Sequence, residues 1–180
     1  LAPWLIQLNN NKPQNFFMIE SSLIGYSRGE LGSETFQATN PATGENLITE
    51  YCSASEDEVK RACELAKLAS LSMAALSGGD KAKFLRSLAD RIEQSIEEIV
   101  VIMTAETGLP EARVRAETGR TQSQLLMFAS LLEEGSWVDA RIDRALPDRQ
   151  PMPKPDLRAM LRPIGPVAVF CASNFPLAFS

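Results

Sequence analysis

The run Val167-Ala168-Val169-Phe170-Cys171-Ala172 is apolar without interruption, and Ser173-Asn174-Phe175-Pro176 follows it at once. Continuous apolarity predicts a strand buried on both faces, as in parallel sheets with helices on either side. The proline suits the opening turn of a helix. A buried strand, a short polar turn and a helix start together predict the crevice at the carboxyl end of a parallel strand, where nucleotides bind. One such strand cannot complete a sheet alone, so the 180-residue sequence reads as part of a larger protein.

Upstream, the pattern predicts small sheets followed by a helical layer. Met18–Ile24 and Glu34–Thr39 flank the turn-rich Gly25–Glu30 and read as an antiparallel hairpin. The turn Asn40-Pro41-Ala42-Thr43-Gly44-Glu45 leads into the alternation of Leu47, Thr49 and Tyr51, a second strand pair. Ser55 with Glu58 has capping-box spacing, and Val59, Ala62, Cys63, Ala66 and Ala69 share one helical face, which makes Cys63 a buried small residue. Asp80 is expected to cap a second helix with the stripe Leu85, Leu88, Ala89 and Ile92. Ser95 and Glu98 suggest another capping box, opening a helix that ends at Gly108. Pro110 then opens a fourth helix, carrying Leu125, Leu126, Phe128, Ala129 and Leu132 and ending near Gly135. The proline-rich stretch Pro147–Pro155 cannot be helical and reads as an arm or connector, with a strand possible over Leu157–Leu161.

Composition narrows the function. A net charge of −5 argues against nucleic acid or an anionic membrane surface as partner. The apolar opening Leu1–Ile6 is far too short to span a bilayer or serve as a signal peptide. Residues 1–17 read as a polar leader without fixed structure, with Met18 as the natural start. Cys52, Cys63 and Cys171 are an odd number of cysteines without close pairing, and histidine is absent. Neither a disulfide framework nor a common zinc site is expected, and the reducing cytoplasm is the compartment that fits. Serine or cysteine nucleophiles that depend on histidine are excluded within these residues.

Three stretches, in this order, resemble the aldehyde dehydrogenase superfamily: Asn40–Glu45, Ala105-Glu106-Thr107-Gly108-Leu109-Pro110, and Arg162-Pro163-Ile164-Gly165-Pro166-Val167 leading into Ala172–Leu177. The resemblance covers about residues 18–180 and implies an α/β fold: N-terminal hairpins, a helical layer and the first strand of a parallel, Rossmann-like sheet. Residues 18–180 would be the N-terminal part of the NAD(P)-binding domain, with an oligomerisation arm at about 137–161, although a solvated loop is the plainer reading of that arm. The implied reaction takes an aldehyde to a carboxylic acid through a thiohemiacetal and a thioester, with NADP or NAD as acceptor.

By the same resemblance, the side-chain amide of Asn174 donates to the oxyanion formed when a cysteine thiolate attacks the aldehyde. From the residues alone, an asparagine satisfying a turn is the simpler account. Phe170, Cys171, Ala172, Ser173 and Asn174 match positions that run along the bound cofactor. Cys171 is not read as the nucleophile, since no cation or base lies near it in sequence. The resemblance puts the nucleophilic cysteine and the water-activating glutamate beyond Ser180, so this stretch alone is expected to be inactive. Ser173 is shared with dehydrogenases of 2,5-dioxopentanoate (α-ketoglutaric semialdehyde) and with NADP-dependent fatty-aldehyde enzymes, and the first of these is the expected substrate class. Those relatives usually carry glycine where Cys171 stands, a departure that matters if the position needs a positive φ. A homo-oligomer is implied, and a non-catalytic module that pairs through its strand arm is the alternative.

Overall fold

The computed structural model describes residues 19–32 and 34–179; the expected leader and the start at Met18 lie outside the described residues. The chain is α/β. Among the described residues, seven short strands and four helices follow in the order β1 (Ile19–Glu20), β2 (Leu23–Ile24), β3 (Ser27–Arg28), β4 (Thr35–Thr39), β5 (Asn46–Cys52), α1 (Glu56–Ala75), α2 (Gly78–Gln94), α3 (Ile96–Thr107), α4 (Glu111–Glu134), β6 (Arg141–Asp143) and β7 (Leu157–Ala159).

The first hairpin closes sooner than the pattern suggested. Gly25, at φ +63°, makes a two-residue turn with Tyr26 that pairs β2 with β3, because a turn of this length needs positive φ to match strand twist. Consequently β4 does not return to the first strand. It pairs antiparallel with β5 through Asn40–Glu45, while β1 joins β5 in parallel on the other side, giving a mixed sheet of order β1-β5-β4.

All four predicted helices form, and their ends show which local signals governed. Ser55 and Glu58 make the reciprocal capping box. The cap of α2 is Ser77 rather than Asp80: the Ser77 hydroxyl accepts from the Asp80 N–H at 3.1 Å and donates to its carboxylate at 2.7 Å. Ser95 makes no side-chain cap to α3. Its φ of −102° and ψ of 10° continue out of α2, so its N–H is taken by Arg91 and Ile92 carbonyls. A working cap needs extended backbone to aim its hydroxyl at the next turn. Gly108 and Gly135 end α3 and α4 in the left-handed region, as expected of residues without a Cβ.

Helices α2 and α4 pack antiparallel through small residues, with Ala82, Ala89 and Ala129 buried. The Gln122 amide bridges back to the Ala89 carbonyl at 3.3 Å and the Glu93 carboxylate at 2.7 Å, and Arg86 pairs with Glu133. Helix α1 buries none of its residues. Cys63 is therefore exposed, contrary to the helical-face expectation, because the apolar side of α1 has little packed against it. A compact cluster of Val100, Met103 and Val114, ringed by Ile96, Ile99, Leu109 and Leu177, joins α3 and α4 to the end of the chain.

After α4, a single 3-10 turn at Ser136–Val138 leads into the arm, where β6 and β7 pair antiparallel with Ile142 opposite Arg158. Leu146 and Lys154 exchange both backbone hydrogen bonds, and the Lys154 ammonium pairs with Asp143. The later strand spans Leu157–Ala159, shorter than expected. The main correction concerns Val167–Ala172. It forms no strand, and Val167, Val169 and Phe170 are exposed rather than buried. Residues 162–171 make no backbone hydrogen bond to other described residues, so among the described residues no strand pairs with the run.

Candidate functional site

Helix α4 presents three charged residues at i, i+4 and i+7, namely Arg113, Glu117 and Arg120, on the side that meets the chain end. The segment from Ala172 is folded onto that side. The Phe175 N–H donates to the Ala172 carbonyl at 3.0 Å, closing a tight turn with Ser173 and Asn174 at its tip. Arg113 donates from Nη2 to the Asn174 carbonyl at 3.4 Å, and its guanidinium lies over the Phe175 ring at 4.2 Å. Phe175 stacks on Phe179 at 4.7 Å, and Arg120 approaches both rings, at 6.0 and 5.8 Å. Such cation–π contacts are favourable wherever the cation is partly withdrawn from water. Beneath them Leu177 enters the Val100, Met103 and Val114 cluster.

The Glu117 carboxylate accepts the Leu177 and Ala178 N–H groups at 2.9 and 3.1 Å. Thr118 beside it is completely buried and donates its hydroxyl to the Val114 carbonyl at 2.9 Å. The sequence reading missed this clamp. The available signal was the i, i+4, i+7 spacing of Arg113, Glu117 and Arg120 in a helix whose apolar stripe lies elsewhere in its sequence.

Of the residues expected at the site, Ser173 and Asn174 come together at the exposed tip of the turn, and Ala172 is half-buried at its base. The Asn174 carboxamide makes no hydrogen bond to the described residues. Phe170, 92% exposed, and the exposed thiol of Cys171 lie on the unpaired run and are not gathered with them. Cys171 does not adopt positive φ; among described residues other than glycine only Asp139 does. A cysteine in place of glycine is thus accommodated without strain in this backbone path. Asn174 does not line the cleft of about 710 Å³ formed by α1, Leu132, Trp137 and residues 163–167. Among the described residues, no group of three or more acidic or cysteine side chains could hold a metal, and no helix is long and apolar enough to cross a membrane.

Two further stretches converge below the turn. Pro41 of the β4–β5 connection sits against Gly108, where an added Cβ would come within 2.9 Å of the Pro41 ring. Tyr51 donates to the Glu106 carboxylate at 3.2 Å, and burial, reinforced by that carboxylate, pushes its phenol above the ordinary value. Leu109 then packs on the same apolar cluster as Leu177. Stretches separated by more than a hundred residues thereby meet at the α3–α4 junction.

An α/β scaffold that gathers these stretches beneath a clamped asparagine turn defines the class of protein. The aldehyde dehydrogenase family model matches residues 29–180, and the chain belongs to that family. It is 42% identical over 159 residues to alpha-ketoglutaric semialdehyde dehydrogenase 2 of Azospirillum brasilense, covering 88% of this chain and 30% of the relative. It is 45% identical over 130 residues to the alpha-ketoglutaric semialdehyde dehydrogenase of Acinetobacter baylyi, covering 72% of this chain and 25% of that protein. An NADP-dependent enzyme of E. coli, known from its crystal structure, superposes with a TM-score of 0.62 at 25% identity, over 71% of this chain and 26% of that one. The chain thus spans less than a third of the length of these relatives.

Proposed function

We propose that the full-length protein oxidises an aldehyde to a carboxylic acid with NADP or NAD as acceptor, and that its substrate is 2,5-dioxopentanoate, giving 2-oxoglutarate. The observation that carries this reading is Asn174: its backbone is held by the turn and by Arg113, while its carboxamide is left without a partner among the described residues. An amide N–H that is not already engaged is free to meet a developing oxyanion, and the held backbone limits where that amide can stand. The substrate class rests on the two semialdehyde dehydrogenases at 42% and 45% identity.

The residues before Asn174 fit the ring end of a nicotinamide cofactor. Ala172 and Ser173 are small, and the backbone of 167–171 has unspent N–H and C=O groups that a flat ligand can approach. When bound, that group supplies the acceptor for the hydride leaving the aldehyde carbon. Ala172 and Ser173 would leave room beside it, and Asn174 would face the substrate oxygen. The β6–β7 hairpin, exposed at every strand residue, supports the further reading that the arm pairs with a second copy.

Cofactor reduction by full-length protein, followed spectroscopically with 2,5-dioxopentanoate and with a long-chain aldehyde, tests the reading. Turnover is expected to favour the semialdehyde, and Asn174→Ala should lower kcat by about 10²–10³-fold. Preference for the long-chain aldehyde would move the assignment to a fatty-aldehyde dehydrogenase, and inactivity with both would overturn the proposal.

A further inference from the structure

The proposed reaction makes no use of the most buried carboxylate on α4. Glu117 is 3% exposed, and a buried carboxylate is tolerable only where hydrogen bonds replace its water. Its Oε1 takes both the Leu177 and the Ala178 N–H, while Oε2 is buried without a hydrogen-bond partner among the described residues. Leu177 already ties the chain end to the apolar cluster, so adhesion alone does not require a carboxylate here. What the carboxylate adds is direction: charge-assisted bonds are short and strongly oriented, and successive N–H groups in a turn form a concavity suited to an anion.

The position of this contact matters for Asn174. Arg113 holds the Asn174 carbonyl, Glu117 one turn along the same face of α4 holds the backbone at 177 and 178, and Pro176 between them has a fixed φ. Little backbone freedom remains from the turn tip to Ala178. We propose that Glu117 is a positioning residue: by accepting these two N–H groups it sets where the Asn174 carboxamide stands. This rests on the reading of Asn174 as the oxyanion donor. Reach is the operative property, since a carboxamide in the same place still offers an acceptor oxygen, whereas a shorter acid does not.

The test measures kcat, KM for 2,5-dioxopentanoate and melting temperature in full-length wild type, Glu117→Asp, Glu117→Gln and Asn174→Ala. In Glu117→Asp, kcat should fall by about 10- to 100-fold with KM nearly unchanged, since displacing a positioned group by about 1 Å weakens the transition state more than binding. Glu117→Gln should recover most of that loss although the charge is gone. A merely structural role would lower melting temperature and leave kcat per folded molecule as in wild type. Wild-type kcat in Glu117→Asp, or a loss in Glu117→Gln as deep as that in Glu117→Asp, overturns the inference while an impaired Asn174→Ala leaves the parent reading standing. Wild-type kcat in Asn174→Ala overturns the parent reading itself. Should Glu117→Asp not fold, Glu117→Gln still decides, because a deep loss of kcat there contradicts a role based on reach.

Discussion

Residues 164–171 and residues 172–179 are neighbours in sequence with similar apolar content, yet they meet opposite fates. The second segment is folded onto α4, with its backbone bound by Arg113 and Glu117 and Leu177 seated in the core. The first leaves Ile164 at 96% and Phe170 at 92% exposure and has no ladder bonds. The difference lies in where each finds partners. A turn can be satisfied by side chains from one helix already in place, whereas a central strand draws its hydrogen bonds and its burial from strands on either side. Apolarity alone therefore does not bury a segment.

This contrast can be broken most directly in the core. Met103→Ala, beneath Leu177, should destabilise the 180-residue chain by about 2–4 kcal/mol in urea unfolding, as expected for emptying a packed site. Fluorescence and circular dichroism should report the same shift, and a change below about 0.5 kcal/mol would show that the cluster does not anchor the chain end. Next in size is Gly108→Ala, which forces a Cβ into left-handed backbone at φ +69° and against Pro41. A loss of about 1–2 kcal/mol in the same assay is expected.

Acid provides a gentler probe. The Glu58 carboxyl is held below the usual carboxylate range, chiefly by the Ser55 N–H and then by the Glu30 N–H. A depressed folded-state pKa contributes stability that is complete above the unfolded-state value and is lost as pH falls through the folded value. Melting temperature should therefore decline as pH falls below the ordinary glutamate value, and Glu58→Gln should flatten part of that decline. A variant with an unchanged acid profile would contradict the assignment. Residues 164–172 carry no acid and no base other than the Cys171 thiol, so the anchored α1 start should feel this change and the run should not. The smallest effect belongs to that run: Phe170→Ser should shift stability by less than about 0.5 kcal/mol. A loss of 2 kcal/mol or more, the size expected from a buried aromatic, would mean that the run is packed after all.

The helical layer was legible because its signals are local. Ser55 with Glu58, Gly108 and Gly135 each act within one turn of chain, and each appears as read. Ser95 with Glu98 had the same spacing and failed because its backbone was already committed to α2. Strand partners were harder to read: β4 could have joined the first strand or β5, and the two-residue turn at Gly25–Tyr26, which engages β2 with β3, leaves β4 to β5. At the candidate site the turn was readable from the polar Ser173 and Asn174, whereas the helix start expected at Pro176 does not form: residues 176–179 make only a turn. The clamp was not readable, since charged residues on a helix usually face water and only tertiary contact shows that Glu117 does not.

The exposed run has one more consequence. Val167–Ala172 is six residues long, β-prone, uncharged and free of proline, the composition from which dry, interdigitated stacks of identical strands are built. Pro163 and Pro166 stand at its upstream border, where prolines interrupt such stacking. Whenever many copies are crowded together with this stretch bare, self-templated aggregation competes with correct assembly, and shielding it quickly becomes a condition for a usable yield of protein.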